Sequence, residues 1–158
     1  MIEIVEAGAE RLDELEPLWW ALVEHQVPLL PQLGAGRDRE DTWRRRRAHH
    51  EELIAKPGAF LLLAERDGRP VGYAMVERSA PAQTWQLDET ATLETLVVLP
   101  EARAAGTGTA LVERARDKLR AAGVKHWAVS VVATNEGGER FYRRHGFEPV
   151  FTELLARL

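Results

Sequence analysis

The sequence contains no cysteine, so it offers neither a disulfide framework nor a thiolate that acts as metal ligand or nucleophile. Long apolar runs are also missing, because no segment approaches the roughly 20 apolar residues that span a bilayer. The first ten residues, MIEIVEAGAE, are acidic and unlike a secretory signal. The net charge of -4 argues against general binding of nucleic acid. These absences predict a soluble, cytoplasmic protein that binds neither nucleic acid nor membrane.

What is present predicts one domain over residues 1–158. Hydrophobic residues make up 45% of the chain and charged residues 29%, an ordinary composition for a globular protein with a sizeable core. No repeat, linker or low-complexity tract divides the chain. Among the histidines, His49 and His50 are adjacent and do not share a helix face as i, i+4 ligands do, and the others form no ligand spacing. We therefore expect no metal.

The N-terminal part of the chain predicts one strand followed by two helices. Residues 2–7 alternate in polarity as a half-buried strand does. Apolar residues recur at helical spacing over residues 9–26, and Pro17 within that pattern is expected to kink the helix or restart it. A loop rich in proline and glycine follows. The second helix is predicted to begin at Asp38 or Asp41, both good N-caps.

The remainder predicts strands that alternate with helices. An Asp-Gly turn signal at residues 67–68 joins two strands into a hairpin, and a third strand follows. A helix is predicted over residues 106–122. Residues 126–134 are nearly all apolar, which is typical of a central strand covered on both faces. A short helix over residues 135–145 and one or two closing strands within residues 147–158 complete a mixed α/β pattern.

The stretch LVVLPEARAAGTGTA, residues 96–110, places two glycines at a helix start, although glycine costs about 1 kcal/mol relative to alanine inside a helix. The first turn of a helix leaves N–H groups unpaired at the positive end of the helix dipole. Gly106 and Gly108 remove the side chains that keep an anion away from those groups. Arg103 is placed to add a charge-assisted hydrogen bond. The segment therefore predicts a phosphate site.

Two common phosphate loops do not fit this segment. A Walker A loop requires Gly-Lys-Ser/Thr, and no lysine is present. A Rossmann fingerprint needs a third glycine, where this chain has Leu111. The run RAAGTGT, residues 103–109, does match Arg/Gln-x-x-Gly-x-Gly/Ala, and so resembles the acetyl-CoA pyrophosphate loop of the GCN5-related N-acetyltransferases, the GNAT family.

The surrounding elements are similar to those of the same family. A strand ends near a proline before the loop (LVVLPEAR), an apolar strand ends in Asn after the helix (AVSVVATN), and a short helix closes on FYRRHGF. The resemblance covers the whole chain in the right element order. It implies a GNAT fold of class α/β (α+β), with a mixed, mostly antiparallel sheet of six to seven strands flanked by about four helices.

The resemblance also implies how acetyl-CoA is held as co-substrate. Main-chain groups of Leu96 and Val98 hold the pantetheine arm at a strand edge that parts from the next strand. Asn135 is a helix cap, a cofactor contact or both. Backbone N–H groups of the loop, with the arginine beside them, bind the pyrophosphate. The residues of that loop are Arg103, Ala104, Ala105, Gly106, Thr107, Gly108, Thr109 and Ala110.

Acetyl transfer to an amine requires that the amine lose a proton. A lysine-like amine with a pKa of about 10.4 is mostly protonated at neutral pH, and deprotonation costs roughly 1.4 kcal/mol per pH unit. A base is therefore required. Glu94 is the candidate, because strand alternation places it on the face of Leu96 and Val98 and family members carry a carboxylate on this strand. The alternatives, with water as a relay, are Thr92, Asp88 and Glu89.

Tyr142 corresponds, by the same resemblance, to the tyrosine that hydrogen-bonds the thioester sulfur and protonates the leaving thiolate. A phenol with a pKa of about 10 keeps its proton at pH 7. We therefore expect an N-acetyltransferase that moves acetyl from acetyl-CoA to a primary amine of a small molecule or peptide by direct attack. The alternative is a non-catalytic acyl-CoA-binding regulatory module. The acceptor and the acyl chain stay open, and a homodimer is a candidate assembly.

Overall fold

Five strands form a single sheet in the computed structural model, which describes residues 1–158. The first four strands are antiparallel neighbours in chain order, and the fifth pairs with the fourth in parallel. The sheet is therefore mixed and mostly antiparallel, as predicted. The strands are β1 (Ile2–Ala7), β2 (Phe60–Arg66), β3 (Arg69–Ser79), β4 (Thr90–Val98) and β5 (His126–Val129).

Helices cover both faces of this sheet. They are α1 (Glu16–Gln26), α2 (Arg39–Ile54), α3 (Pro100–Arg103), α4 (Thr107–Ala121) and α5 (Glu136–Arg144), with 3-10 turns at Ala9–Leu15, Val27–Leu29 and Pro31–Leu33. On one face, called the α4 face below, Leu111 and Leu119 of α4 pack on Leu62 of β2. On the other, called the α2 face, Leu53 of α2 packs on Leu61. None of the helices is long and apolar enough to span a bilayer.

Local signals in the sequence set several element boundaries as predicted. Pro17 lies in the first turn of α1, just after a 3-10 helix, so it restarts the helix. Asp38 caps α2, because its side chain accepts a hydrogen bond of 2.9 Å from the N–H of Asp41. Asp67 and Gly68 both have positive φ, 51° and 74°, the geometry of a type I′ hairpin turn. These predictions are confirmed.

The prediction of a central strand over residues 126–134 is wrong. The ladder with β4 ends at Val129, and β5 lies at the edge of the sheet. Beyond it the chain turns, with the N–H of Asn135 donating to the carbonyl of Val132 at 2.9 Å. An apolar run indicates buried side chains but does not show that the backbone pairs with a strand on each side. Trp127 and Val129 pack on the α4 face, while Ala128 is exposed.

The predicted closing strands in residues 147–158 are not formed. Val150, Phe151 and Leu154 are more than four-fifths exposed. A polarity pattern yields a strand only when a neighbouring edge pairs with it, and Pro149 has no N–H to donate. The sheet accordingly has five strands instead of six to seven. Five helices replace the expected four, because Pro100 begins the single turn of α3.

Candidate active site

A gap opens between β4 and β5 halfway along β4. Their pairing ends at Leu93 and Val129, after which residues 130–134 leave the sheet. The hydroxyl of Thr134 donates to the carbonyl of Leu29 at 3.1 Å, so the departing segment contacts the α1–α2 connection. Glu94 is the first residue of β4 beyond the last pair. The residues after it therefore present an edge without a strand neighbour.

The main chain of Leu96 and Val98 faces this gap. The N–H of Leu99 donates to the carbonyl of Val71 at 2.8 Å. Because main-chain groups of successive residues point to opposite edges of a strand, those of Val98 and Leu96 point away from β3. Arg103 Nε donates to the carbonyl of Val98 at 3.0 Å. The arginine predicted for the pyrophosphate thus also joins the open edge to the loop before α4.

The loop before α4 presents free N–H groups at a left-handed glycine. Gly106 has φ 73° and ψ 18° as the N-cap residue, a conformation that other residues adopt only at a cost. The N–H groups of Thr107, Gly108 and Thr109 occupy the first turn and have no partner within the helix. The N–H of Ala110 already donates to the carbonyl of Gly106 at 3.0 Å. Because Thr107 is fully buried, the donors that an anion can reach are the N–H groups of Gly108 and Thr109.

The side chains of the loop take little part in this donor set. Thr107 is fully buried, and its hydroxyl donates to the carbonyl of Ala102 at 2.8 Å, which fixes the loop. Ala104 and Ala105 form the exposed turn between α3 and α4. The loop therefore offers main-chain donors and small side chains, as a phosphate site requires.

Gly108 also allows close packing between α4 and α5, which the sequence did not indicate. A Cβ atom at this position would lie 3.3 Å from two ring atoms of Phe141. α5 therefore packs closely against the first turn of α4. Thr109 Oγ1 lies 3.2 Å from His145 Nε2, and Arg116 donates to the carbonyl of His145. The first turn of α4 and the helix α5 are thus joined by close packing and hydrogen bonds.

Tyr142 is carried by α5 beside this loop. Its ring contacts Phe141 and Phe147 edge-on, with centroids 5.3 and 5.7 Å apart. Burial raises the pKa of Tyr142 to about 12, so the phenol holds its proton at neutral pH. Asn135 caps the same helix, accepting a hydrogen bond of 3.0 Å from the N–H of Gly138. Of the two roles considered for Asn135, the structure shows the cap.

The prediction that Glu94 shares a face with Leu96 and Val98 is wrong. The register of β3 and β4 shifts between Met75 and Val76, so β4 carries an extra residue there. A β-bulge of this kind breaks the alternation of side chains. Leu96 and Val98 pack on the α4 face, whereas Glu94 contacts α2 on the other face.

On the α2 face, Glu94 accepts hydrogen bonds from three groups. Arg46 Nη1 donates to its Oε1 at 2.7 Å, and His49 Nε2 lies 3.0 Å from the same oxygen. The hydroxyl of Thr95 donates to the other oxygen. Burial alone would raise the pKa of Glu94, but the Thr95 hydrogen bond and the Arg46 charge hold the pKa below its ordinary value. Glu94 is therefore an anion across the physiological range.

His50 lies behind this cluster and is completely buried. Its Nε2 is 3.1 Å from the hydroxyl of Tyr73, and its Nδ1 has no hydrogen-bond partner. Burial lowers the pKa of His50 to about 4, against the opposing charge of Glu94. The imidazole is therefore neutral at physiological pH.

The alternative base candidates are placed elsewhere. The hydroxyl of Thr92 is 2.8 Å from that of Ser79. Asp88 and Glu89 lie in the exposed loop before β4, where Glu89 pairs with Arg78. Of the carboxylates considered, Glu94 is the one that lies at the start of the gap. No three acidic or histidine side chains are arranged to hold a metal ion.

Sequence reasoning missed the partners of Glu94. It weighed His49 and His50 only as metal ligands. Arg46, His49 and His50 stand at i, i+3 and i+4, the spacing that places side chains on one side of a helix. That spacing was the available signal, although it does not reveal which strand residue lies opposite.

Comparison with known proteins identifies the family. Residues 19–147 match the model of the Acetyltransferase (GNAT) family, and the chain belongs to this family. Aminoglycoside N(6′)-acetyltransferase type 1 from Klebsiella aerogenes is 31% identical over 97 residues, which cover 61% of this chain and 64% of that enzyme. The chain thus aligns with less than two thirds of that relative's length.

Solved structures share the fold at low sequence identity. A tetramutant of the BH1408 protein from Bacillus halodurans has a TM-score of 0.82 at 18% identity, with 99% of both chains covered. Aminoglycoside N-acetyltransferase AAC(6′)-Iy, solved in complex with CoA, has a TM-score of 0.70 at 18% identity, covering 100% of this chain and 95% of that one. The GNAT resemblance read from the sequence is confirmed.

Proposed function

We propose that the protein is an acetyl-CoA-dependent N-acetyltransferase that transfers acetyl to a primary amine by direct attack. The observation that carries this proposal is the gap beyond Leu93, which is bordered differently on the two faces of the sheet. The open main-chain edge of β4 borders it together with the loop before α4, and the Glu94 cluster borders it on the α2 face. One side suits an acyl-CoA, and the other holds titratable groups for an amine.

The donor side fits acetyl-CoA in its chemistry. Two N–H groups at a helix N-terminus, those of Gly108 and Thr109, favour an anion such as a pyrophosphate, and Arg103 supplies a nearby positive charge. The main chain of Leu96 and the N–H of Val98 have no strand partner at this edge, and they suit the amides of pantetheine, which would add to the open edge like a strand. Bound acetyl-CoA would supply the acetyl group as a thioester.

The reacting groups on this chain would be Tyr142 and the Glu94 cluster. Tyr142 keeps its phenolic proton, since its pKa is about 12, and would give it to the departing sulfur. Glu94 would drive removal of a proton from the acceptor, because its negative charge stabilises the positive charge that deprotonation leaves on the protein. No cysteine is present to form an acyl-enzyme, so direct attack is the simpler route.

A panel of amines with acetyl-CoA, monitored by release of free thiol, tests this proposal. An aminoglycoside belongs in the panel because a relative is an aminoglycoside acetyltransferase, alongside polyamines, amino acids and peptides. We expect thiol release that depends on one class of amine and falls in Tyr142→Phe. Binding of acetyl-CoA by calorimetry without thiol release from any amine would favour the regulatory module instead.

A further inference from the structure

We propose that His49 is the group that takes the proton from the acceptor amine, and that Glu94 is the positioning residue behind it. This inference rests on the proposed function. The two side chains meet across the α2 face, with His49 Nε2 3.0 Å from Glu94 Oε1. The His49 side chain is 49% exposed and that of Glu94 only 17%. An amine that arrives from this face therefore meets the imidazole before the carboxylate.

The hydrogen bond fixes which nitrogen of His49 is basic. A carboxylate has only acceptors, so the nitrogen that faces it must carry the proton. Nε2 of His49 is therefore the donor to Glu94. In the neutral ring, Nδ1 then keeps its lone pair and points away from the carboxylate. This is the arrangement by which a buried carboxylate orients a histidine base.

Glu94 is poorly suited to accept the proton itself. Oε1 is shared by Arg46 at 2.7 Å and His49 at 3.0 Å, and Oε2 accepts from Thr95. Protonating this carboxylate would break its pairing with a guanidinium that also stacks on Trp19, 3.9 Å from the ring centroid. The same contacts make Glu94 a fixed negative charge, which stabilises a neighbouring imidazolium.

The charged and titratable groups around His49 come from three elements. β4 contributes Glu94, α2 contributes Arg46 and His50, and β3 contributes Tyr73 behind His50. His50 is buried with an unpartnered nitrogen, so an acceptor does not reach it. His49 is the one well-exposed member of the cluster, and imidazole is a side-chain type suited to proton transfer.

The reaction balances with His49 in this role. The ammonium form of the acceptor gives one proton to His49 Nδ1, and the nitrogen lone pair forms the C–N bond with the thioester carbon. The C–S bond breaks, and sulfur keeps the electron pair and takes the proton of Tyr142. The second amine proton returns to the Tyr142 oxygen through solvent. Solvent then removes the proton held by His49.

The pH dependence of kcat/KM in His49→Gln tests the assignment, with an amine found in the panel. We expect a loss of roughly 100-fold at pH 7. The low-pH limb that imidazole titration gives the wild type should be replaced by a rise of about tenfold per pH unit toward the amine's own pKa. In Glu94→Gln, kcat/KM should be lower than in the wild type, but its pH profile should still show a low-pH limb. His126→Gln, an exposed histidine at the start of β5, is the matched control and should behave as wild type.

A limb that persists in His49→Gln and disappears in Glu94→Gln would make Glu94 the base and overturn the inference, while the proposed function would stand. A second readout does not depend on turnover. Side-chain ¹⁵N shifts should show that the neutral ring of His49 carries its proton at Nε2 in the wild type, and Glu94→Gln should weaken that preference. The same distribution of His49 tautomers in the wild type and in Glu94→Gln would contradict the assignment. Absence of thiol release with any amine would instead defeat the proposed function.

Discussion

The two faces of the sheet present two different kinds of chemical group near the gap. On the α4 face the functional groups are main-chain donors and acceptors, set by a helix start and an unpaired strand edge. On the α2 face they are side chains from segments far apart in the chain, since Glu94 is 48 residues from Arg46. A local motif therefore reveals the first set of groups, and only the fold assembles the second. Experiments that separate cofactor binding from proton transfer test this division.

The largest effect is expected at Tyr142, which lies on the α4 face but would act in chemistry. Tyr142→Phe keeps the ring contacts with Phe141 and Phe147 and loses the phenolic proton. We expect turnover to fall roughly 100-fold, the low end for a general acid, with acetyl-CoA affinity unchanged by calorimetry. An acetyl thioester of a more acidic thiol should recover much of the loss. Equal losses with both thioesters would mean that Tyr142 only positions the substrate.

A smaller effect is expected from adding a negative charge to the loop at Ala105. This residue is exposed, so Ala105→Asp and its neutral control Ala105→Asn should both fold. A carboxylate about 8 Å from a phosphate, at an effective dielectric constant of about 20, costs roughly 2 kcal/mol. Acetyl-CoA affinity should fall about 30-fold in the Asp variant and little in the Asn variant. Equal affinities in the two variants would place the pyrophosphate elsewhere.

The smallest effect concerns folding stability on the α2 face. His50 titrates with a pKa of about 4 in the folded protein and near 6.5 when unfolded. Between these values the unfolded chain binds more protons than the folded one. The free energy of unfolding should therefore decrease as the pH is lowered through this range, by up to roughly 1.4 kcal/mol per pH unit. Glu94, whose pKa is lowered, should add a loss at lower pH, as pH falls below the ordinary carboxyl range.

Urea denaturation of His50→Gln between pH 7 and pH 5 checks this prediction. The slope of stability against pH should flatten relative to that of the wild type, while His126→Gln should keep the full slope. Burial also lowers the pKa of His145 on the α4 face, so His145→Gln should remove part of the remaining slope. A wild-type slope in His50→Gln would show that the buried imidazole does not control acid stability.

The signals that the sequence holds for the α4 face are local. Gly106, Arg103 and the cap at Asn135 each act within a few residues. Sequence reasoning misplaced Glu94 because the bulge in β4 depends on the register with β3, which alternation alone does not contain. The prediction of closing strands failed for a similar reason, since a strand forms only where its backbone pairs with the edge of another strand. The role of Gly108 in seating Phe141 depends on a contact 33 residues away.

The central claim is that cofactor and proton acceptor lie on opposite faces and meet at the gap beyond Leu93. A crystal structure of the protein with coenzyme A tests it most directly. We predict pyrophosphate oxygens within hydrogen-bonding distance of the N–H groups of Gly108 and Thr109, pantetheine amides along Leu96 and Val98, and the sulfur at the gap, within reach of Tyr142. Coenzyme A bound on the α2 face, or lying away from the first turn of α4, would contradict the account.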